Sequence, residues 1–207
     1  MAAVRLGIVA RPTLLLLPGA GTGCDHPGLI AIEERIGRSA AVERRDFPYR
    51  REGRRPPDRA SKLMASIRDD LATFARRRGP LVMGGRSMGG RMASMVAADV
   101  DGAGPVRRLA GLVLVCYPLH PPRRPDRLRV EHFGDIDVPC LFVSGTRDEF
   151  ATPDELLEWT STIPAPVEHV WIEGARHDLK GADDEVAEAV ADFVSRRRPD
   201  RPPEAVG

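Results

Sequence analysis

The sequence predicts an α/β domain in which a mostly parallel sheet is covered by helices on both faces. Short, nearly continuous apolar runs alternate with amphipathic stretches, and each run has about the length of a strand buried on both sides. The chain has 207 residues, which suits one domain of ordinary size. We therefore expect a single domain over residues 1–198 and a flexible C-terminal tail over residues 199–207.

Strands are predicted where apolar residues follow one another with few interruptions. A weaker strand is predicted from Val42 to Phe47. Parallel strands produce such runs because helices bury both faces of the sheet. The five strong runs lie at residues 13–17, 81–84, 109–116, 139–144 and 167–172.

Helices are predicted from the spacing of apolar residues between these runs. Residues 59–78 carry apolar side chains three and four positions apart, and Asp58 is placed to cap the first turn. Residues 183–198 begin with acids and end with arginines, an order that the helix dipole favours. Proline-rich composition predicts loops at residues 48–57 and 118–125.

The composition excludes several classes of protein. A formal net charge of +1 and 5% aromatic residues give no indication of nucleic-acid binding. The three cysteines lack metal-ligand spacing, so neither a disulfide framework nor a metal site is predicted. No apolar run approaches the length of about 18 residues that a membrane-spanning helix needs. We expect a cytoplasmic monomer or homodimer that binds neither nucleic acid nor membrane.

The most informative motif is Gly85-Arg86-Ser87-Met88-Gly89, which lies between an apolar run and an amphipathic stretch. A G-x-S-x-G sequence in this context predicts a nucleophile elbow, a sharp turn that presents the serine hydroxyl above the sheet. Glycines are needed at both ends because side chains there would collide with neighbouring backbone. Ser87 is therefore the candidate nucleophile, and the backbone N–H of Met88 is a candidate oxyanion donor.

A serine nucleophile needs a general base and a carboxylate that orients the base. Asp148 and His177 each follow a predicted strand, at the sheet edge where α/β proteins place their sites. We predict Asp148 as the acid, in preference to the adjacent Glu149, and His177 as the base. Among the other histidines His120 is the strongest rival; it is a candidate for lining the pocket, with a structural role in its loop as the alternative.

The glycine-rich segment from Gly19 to Gly23 follows the first strong strand. Its position predicts a second oxyanion donor at the backbone N–H of Ala20, with Gly19 lining the pocket. A dinucleotide-binding fingerprint would need its third glycine where Cys24 stands, so no nucleotide site is predicted.

These motifs resemble the α/β-hydrolase superfamily, and within it the small hydrolases related to dienelactone hydrolase. The resemblance implies an α/β-hydrolase fold, a Ser87–His177–Asp148 triad, ester-like small-molecule substrates and no cofactor. Pro18 stands where many of these hydrolases have histidine. The chain is expected to be N-terminally shortened, since its first strong strand begins at residue 13, and lidless, since the predicted elements leave no room for an insertion. The segments that carry the resemblance are LLPGAGTGCDHP, FPYRREGRRPPDR, the elbow, YPLHPPRRPDRLR, SGTRDEF and GARHD.

Arginine directly precedes each proposed triad residue, at Arg86, Arg147 and Arg176, and the segment from Arg44 to Arg59 holds seven arginines. Guanidinium groups pair with carboxylates and phosphates, so Arg86 is a candidate pocket residue for an anionic substrate. The alternative, which we favour at this point, is a solvated arginine-rich surface.

The predicted activity is hydrolysis of a small ester, thioester or lactone through an acyl-Ser87 intermediate. Two alternatives stay open. One is a non-catalytic interaction module that keeps the fold, supported by Pro18 and the arginine-rich segment. The other is a serine acyltransferase or peroxidase variant, which would share the triad. Neither fold nor triad determines the substrate.

Overall fold

A computed structural model describes residues 10–197 and contains one sheet of six strands, all paired in parallel. The spatial order of the strands is β2-β1-β3-β4-β5-β6. The expected tail at residues 199–207 lies outside the described residues. The strands are β1 (Thr13–Leu17), β2 (Ala41–Arg44), β3 (Leu81–Arg86), β4 (Leu109–Val115), β5 (Cys140–Gly145) and β6 (Val167–Ile172).

Helices cover both faces of this sheet, as predicted. Helices α1 and α6 pack over one face, and α2 to α5 contribute buried side chains to the core on the other. A single 3-10 turn, Phe133–Asp135, precedes β5. The helices are α1 (Pro27–Ile36), α2 (Pro48–Arg51), α3 (Ala60–Thr73), α4 (Met88–Ala97), α5 (Pro153–Thr160) and α6 (Asp183–Ser195).

The side chains of β1 explain why the strands are apolar almost without interruption. Leu15 and Leu17 belong to the core beneath α3 and α4, whereas Leu14 and Leu16 belong to the core beneath α1 and α6. Successive side chains of a strand point to opposite faces, so a strand covered on both sides needs apolar residues at every position. The five strong strand predictions are confirmed on this basis.

Several local predictions are wrong. Helix α3 starts after Arg59, and Asp58 does not cap it; the Asp58 carboxylate instead accepts from Arg54 at 3.0 Å and lies 3.2 Å from the Lys62 amine. The loop predicted at residues 48–57 contains α2, because Pro48 suits the first position of a helix and Tyr49 buries its ring.

Two predicted elements end earlier than expected. Helix α3 stops at Thr73 rather than residue 78, and α6 stops at Ser195, so that its arginines follow the helix instead of filling the last turn. The weak strand is real but covers Ala41–Arg44, four residues of which none is fully buried. Position at the edge of the sheet explains its weak apolar signal.

The segment between β4 and β5, residues 116–139, carries no helical lid. Within it the described chain forms only the 3-10 turn, and its large side chains are buried in the core instead of covering the sheet edge. The prediction of a lidless domain is confirmed. The side chains that anchor the segment between β4 and β5 in the core are Tyr117, Leu119, Phe133 and Ile136.

Across residues 10–197, every helix is too short or too polar to cross a bilayer.

The close contact of β3 with β4 predicts a large stability effect at Gly84. A Cβ atom there would overlap the carbonyl oxygen of Val113 and lie 2.7 Å from its carbonyl carbon. Because both partners are backbone, the strands would have to separate. We expect Gly84→Ala to lower the free energy of unfolding by about 3 kcal/mol or more.

Urea denaturation measures this change, with Gly134→Ala as the matched control. A Cβ atom at Gly134 meets nothing within 4 Å, and the residue is exposed. The control should stay within about 0.5 kcal/mol of the wild type. An unfolding midpoint for Gly84→Ala equal to that of the control would contradict the prediction.

Candidate active site

The turn between β3 and α4 places Ser87 above the carboxyl edge of the sheet. Ser87 has φ 49° and ψ −117°, a left-handed conformation that is strained for a residue with a side chain. Its N–H donates to the carbonyl of Val115 in β4 at 2.8 Å, which holds the turn in place. A Cβ atom at Gly85 or Gly89 would overlap the carbonyl oxygen of Leu17. The glycines therefore have the steric role that the sequence predicted.

A chain of hydrogen bonds runs from Ser87 through His177 to Asp148. The Nε2 atom of His177 is 3.0 Å from the Ser87 hydroxyl, and its Nδ1 atom is 2.8 Å from one oxygen of Asp148 and 3.0 Å from the other. A carboxylate accepts, so Nδ1 is the protonated nitrogen and Nε2 is free to accept from the serine. Three residues from the ends of three different strands thus form a nucleophile, a base and an orienting acid.

The loops that carry the acid and the base are tied to each other. Asp148 is buried, and its second acceptor site takes the Phe150 N–H at 2.8 Å. The Phe150 ring stacks on the His177 imidazole, with ring centroids 4.0 Å apart. The Arg147 N–H donates to the carbonyl of Ala175 at 2.9 Å. Phe150 could not be recognised from the sequence, since no local pattern marks an aromatic residue as the support of a histidine.

Arg86 lines the cleft, and one nitrogen of its guanidinium is bound within the protein. Its Nη2 atom donates to the backbone carbonyl of His177 at 2.6 Å. Arg147 and Arg176 are exposed and do not line the cleft. Arg86 therefore fixes the loop that carries His177, and the arginines beside Asp148 and His177 face solvent.

The loop after β1 is anchored by the last residue of β2 and by residues that follow it. The Tyr49 hydroxyl, on a fully buried side chain, donates to the carbonyl of Ala20 at 2.9 Å. The Cys24 N–H donates to the Asp46 carboxylate at 2.8 Å, and the Arg44 guanidinium donates to the Cys24 carbonyl. Anchoring therefore comes from the start of the arginine-rich segment, and the loop does not depend on a histidine in place of Pro18.

The cleft above Ser87 has a volume of about 520 Å³. Gly19 and Ala20 form one wall, and Met88 lies at its base as the first residue of α4. The first N–H groups of a helix have no acceptor within the helix and lie at the positive end of its dipole. Ser87 and His177 thus line the same cleft as Met88 and Ala20, the residues of the two predicted oxyanion donors.

His120 does not line this cleft, contrary to the prediction. Its ring is buried, with Nδ1 2.8 Å from the Pro121 carbonyl and Nε2 3.5 Å from the Glu155 carboxylate. The segment after β4 turns the ring towards α5, a path that sequence spacing does not reveal. The remaining histidines bond elsewhere: His26 to Gly28, His132 to Ser94 and His169 to Thr160.

One group of three possible metal ligands occurs in the described part of the chain: Cys116, Asp148 and His177, with ligand atoms within 4.8 Å of one another. Burial raises the pKa of the Cys116 thiol to about 12, so the sulfur stays protonated. Metals bind the thiolate. Asp148 and His177 also bond to each other. These two residues therefore fit the hydrogen-bonded triad with Ser87 better than a metal site with Cys116.

The arginine-rich segment forms a surface of ion pairs. Arg44 pairs with Glu33, Arg45 with Glu43, Arg51 with Asp70 and Arg54 with Asp58. These contacts agree with the favoured interpretation of a solvated surface.

Comparison with known proteins places this geometry in context. A family model described as an alpha/beta hydrolase domain matches residues 10–197. The fold is similar to that of Est1E from Butyrivibrio proteoclasticus, with a TM-score of 0.71 and 15% identity, covering 93% of this chain and 90% of that one.

Two further solved structures are similar in fold. A monoacylglycerol lipase from Paleococcus ferrophilus has a TM-score of 0.70 and 15% identity, covering 91% of this chain and 96% of that one. The RedJ thioesterase of the prodiginine biosynthetic pathway in Streptomyces coelicolor has a TM-score of 0.65 and 19% identity, covering 90% of this chain and 85% of that one.

Proposed function

We propose that this chain, which belongs to the alpha/beta hydrolase domain family, cleaves a small ester, thioester or lactone with Ser87 as its nucleophile. The observation that carries the proposal is the hydrogen-bonded line from Ser87 through His177 to Asp148. The Ser87–His177 contact has the length that proton transfer requires, and the His177–Asp148 contacts orient the imidazole for it.

The reaction runs in two halves. As the Ser87 oxygen attacks the acyl carbon, His177 takes the hydroxyl proton, and Asp148 stabilises the resulting imidazolium. The tetrahedral intermediate collapses, and its leaving group departs with the proton held by His177. Water then gives a proton to His177 and attacks acyl-Ser87, which releases the acid and restores the serine hydroxyl.

The negative charge of each tetrahedral intermediate needs donors that are already in place. Met88, the first residue of α4, and Ala20, on the loop after β1, both line the cleft, and their backbone N–H groups are the proposed donors. Removal of a single oxyanion donor typically costs about 10²- to 10³-fold in kcat. Both proposed donors are backbone groups, so their position depends on what holds the loops.

Tyr49 is expected to be such a positioning residue. Its hydroxyl bonds the Ala20 carbonyl, so Tyr49→Phe should let the loop relax and misplace the Ala20 N–H. We expect kcat to fall by about 10-fold, less than the loss of an oxyanion donor, with a smaller change in KM.

The kcat-against-KM split separates this role from a purely structural one. Loss of the buried hydrogen bond should also lower the free energy of unfolding by about 1 kcal/mol. A destabilised variant with wild-type kcat would show that the bond supports only the fold.

The absence of a helical lid across residues 116–139 favours small substrates over long acyl chains, because an open cleft buries little of a long chain. A panel of 4-nitrophenyl esters of increasing acyl length tests the proposal. The acetate and butyrate esters should be hydrolysed, with an initial burst of 4-nitrophenol as the acyl-enzyme accumulates.

Folded protein that hydrolyses no member of the panel would contradict the proposed function. The non-catalytic alternative predicts this result. We do not favour the non-catalytic alternative. Pro18 supported it, but the loop that follows Pro18 is anchored by Tyr49 and Asp46.

A further inference from the structure

We propose that Arg91 and Arg129 form an anion-binding subsite in the cleft, and that the substrate is an ester carrying a carboxylate. This inference rests on the proposed function for its chemistry, but the subsite itself can be tested by binding alone. No motif in the sequence points to either arginine.

Both side chains belong to the walls of the cleft that contains Ser87. Arg91 lies one helical turn after Ser87, and its N–H donates to the Ser87 carbonyl at 3.1 Å. Arg129 reaches the same cleft from the segment between β4 and β5. An anion bound there would therefore sit beside an acyl group attached to Ser87.

Neither guanidinium is neutralised by the part of the protein that the structure describes. The Nε atom of Arg91 is buried and has no hydrogen-bond partner there. No ion pair of Arg91 or Arg129 is found among residues 10–197, and Glu131, the closest acid in sequence to Arg129, is exposed. By contrast Arg68 binds both Asp99 and Asp101.

The positive charge of Arg91 acts on Arg129. Burial, followed by the positive charge of Arg91, lowers the pKa of Arg129. Two partly buried cations in one cleft are unfavourable without a counter-charge. A carboxylate between them would offset the repulsion and accept hydrogen bonds from the guanidinium N–H groups that face the cleft.

The backbone beneath both arginines is held by a hydrogen-bonded network. The buried Tyr117 hydroxyl donates to the Arg129 carbonyl at 2.7 Å. Ser94 donates to the Arg91 carbonyl at 2.8 Å, which leaves its oxygen to accept from the His132 Nε2–H at 2.8 Å. Burial, with the charge of Arg91, lowers the pKa of His132 to about 4, so that ring is neutral. The subsite is therefore preorganised.

Other arginines near the site are less suited to this role. Arg86 donates to the His177 carbonyl, and Arg147 and Arg176 are exposed outside the cleft. The sequence suggested that the arginines beside the triad recognise an anion. We assign that role instead to Arg91 and Arg129.

Matched esters test the proposal by activity. Mono-4-nitrophenyl adipate and 4-nitrophenyl hexanoate have the same number of acyl carbons and differ in the distal carboxylate. A second pair, 4-acetoxybenzoate and phenyl acetate, places the carboxylate on the leaving group. The wild type should prefer the anionic member of at least one pair by about 10-fold in kcat/KM.

Arg91→Gln and Arg129→Gln should each reduce that preference by about 10-fold, the effect of losing one charge-assisted hydrogen bond. Arg127→Gln is the control, because Arg127 is exposed and lies outside the cleft. Its preference should match that of the wild type.

Titration calorimetry with adipate at low ionic strength tests the subsite without turnover. Adipate should bind to the wild type and to Arg127→Gln, and binding should be lost in both cleft variants. This result supports the subsite even if no ester is hydrolysed. In that case only the proposed function fails. Hydrolysis of neutral esters with no anionic preference and no adipate binding overturns the subsite and leaves the proposed function standing.

Discussion

Ser87→Ala should lower kcat for 4-nitrophenyl ester hydrolysis by about 10⁴-fold or more. Alanine removes the oxygen that attacks the acyl carbon, and no other hydroxyl lies at the Nε2 atom of His177 in the described residues. The oxyanion donors alone would leave a small residual rate. KM should change far less, since the cleft walls remain.

Initial rates with an excess of ester measure this loss, and Ser161→Ala is the matched control. Ser161 is exposed, and its hydroxyl donates to the Glu158 carbonyl at the end of α5, away from the cleft. The control should retain the wild-type rate. Ser87→Ala protein that keeps more than a tenth of wild-type kcat, in a preparation free of other esterases, would rule out an acyl-Ser87 mechanism.

Asp148→Asn should lower kcat by about 10³- to 10⁴-fold with little change in fold. Asp148 accepts from the His177 Nδ1–H and from the Phe150 N–H. An amide can keep the Phe150 bond through its oxygen, and its NH₂ group then faces Nδ1. That arrangement favours the tautomer protonated at Nε2, which cannot accept the Ser87 proton.

Glu149→Gln is the control for Asp148→Asn. Glu149 is adjacent in sequence but exposed, and the two variants change charge equally. Stopped-flow measurement should show a slow acylation phase in Asp148→Asn and a normal phase in Glu149→Gln. The reverse pattern would assign the acid to Glu149, the alternative that the sequence left open.

The sheet and the triad could be predicted because their signals are local. A strand buried on both faces needs an apolar residue at each position, so β1 and β5 were visible as continuous runs. The elbow demands glycines that a short motif records, and Asp148 and His177 directly follow strands. In each case the residues that carry the signal lie next to the structure that it predicts.

Features that depend on distant segments could not be predicted. The bond from Tyr49 to Ala20 joins two loops, and the position of His120 depends on how the segment after β4 packs against α5. Arg91 lies on α4, but its meeting with Arg129 in the cleft depends on the path of residues 116–139. Spacing along the chain contains none of this information.

The cap proposed for α3 failed for a related reason. Asp58 has the right residue type and position, but Arg54 and Lys62 bind its carboxylate more directly than the helix N-terminus does. Competition among nearby charges is decided by side-chain geometry, which the sequence pattern does not contain.

The most direct test of a nucleophilic Ser87 is covalent labelling with a fluorophosphonate, read by intact mass and by peptide mapping. Serine hydrolases react with such probes only when the serine is activated by its base. Wild-type protein should gain one phosphonyl group, located on Ser87, and Ser87→Ala should gain none. Folded wild-type protein that stays unlabelled, or Ser87→Ala that is labelled to the same extent, would contradict the account.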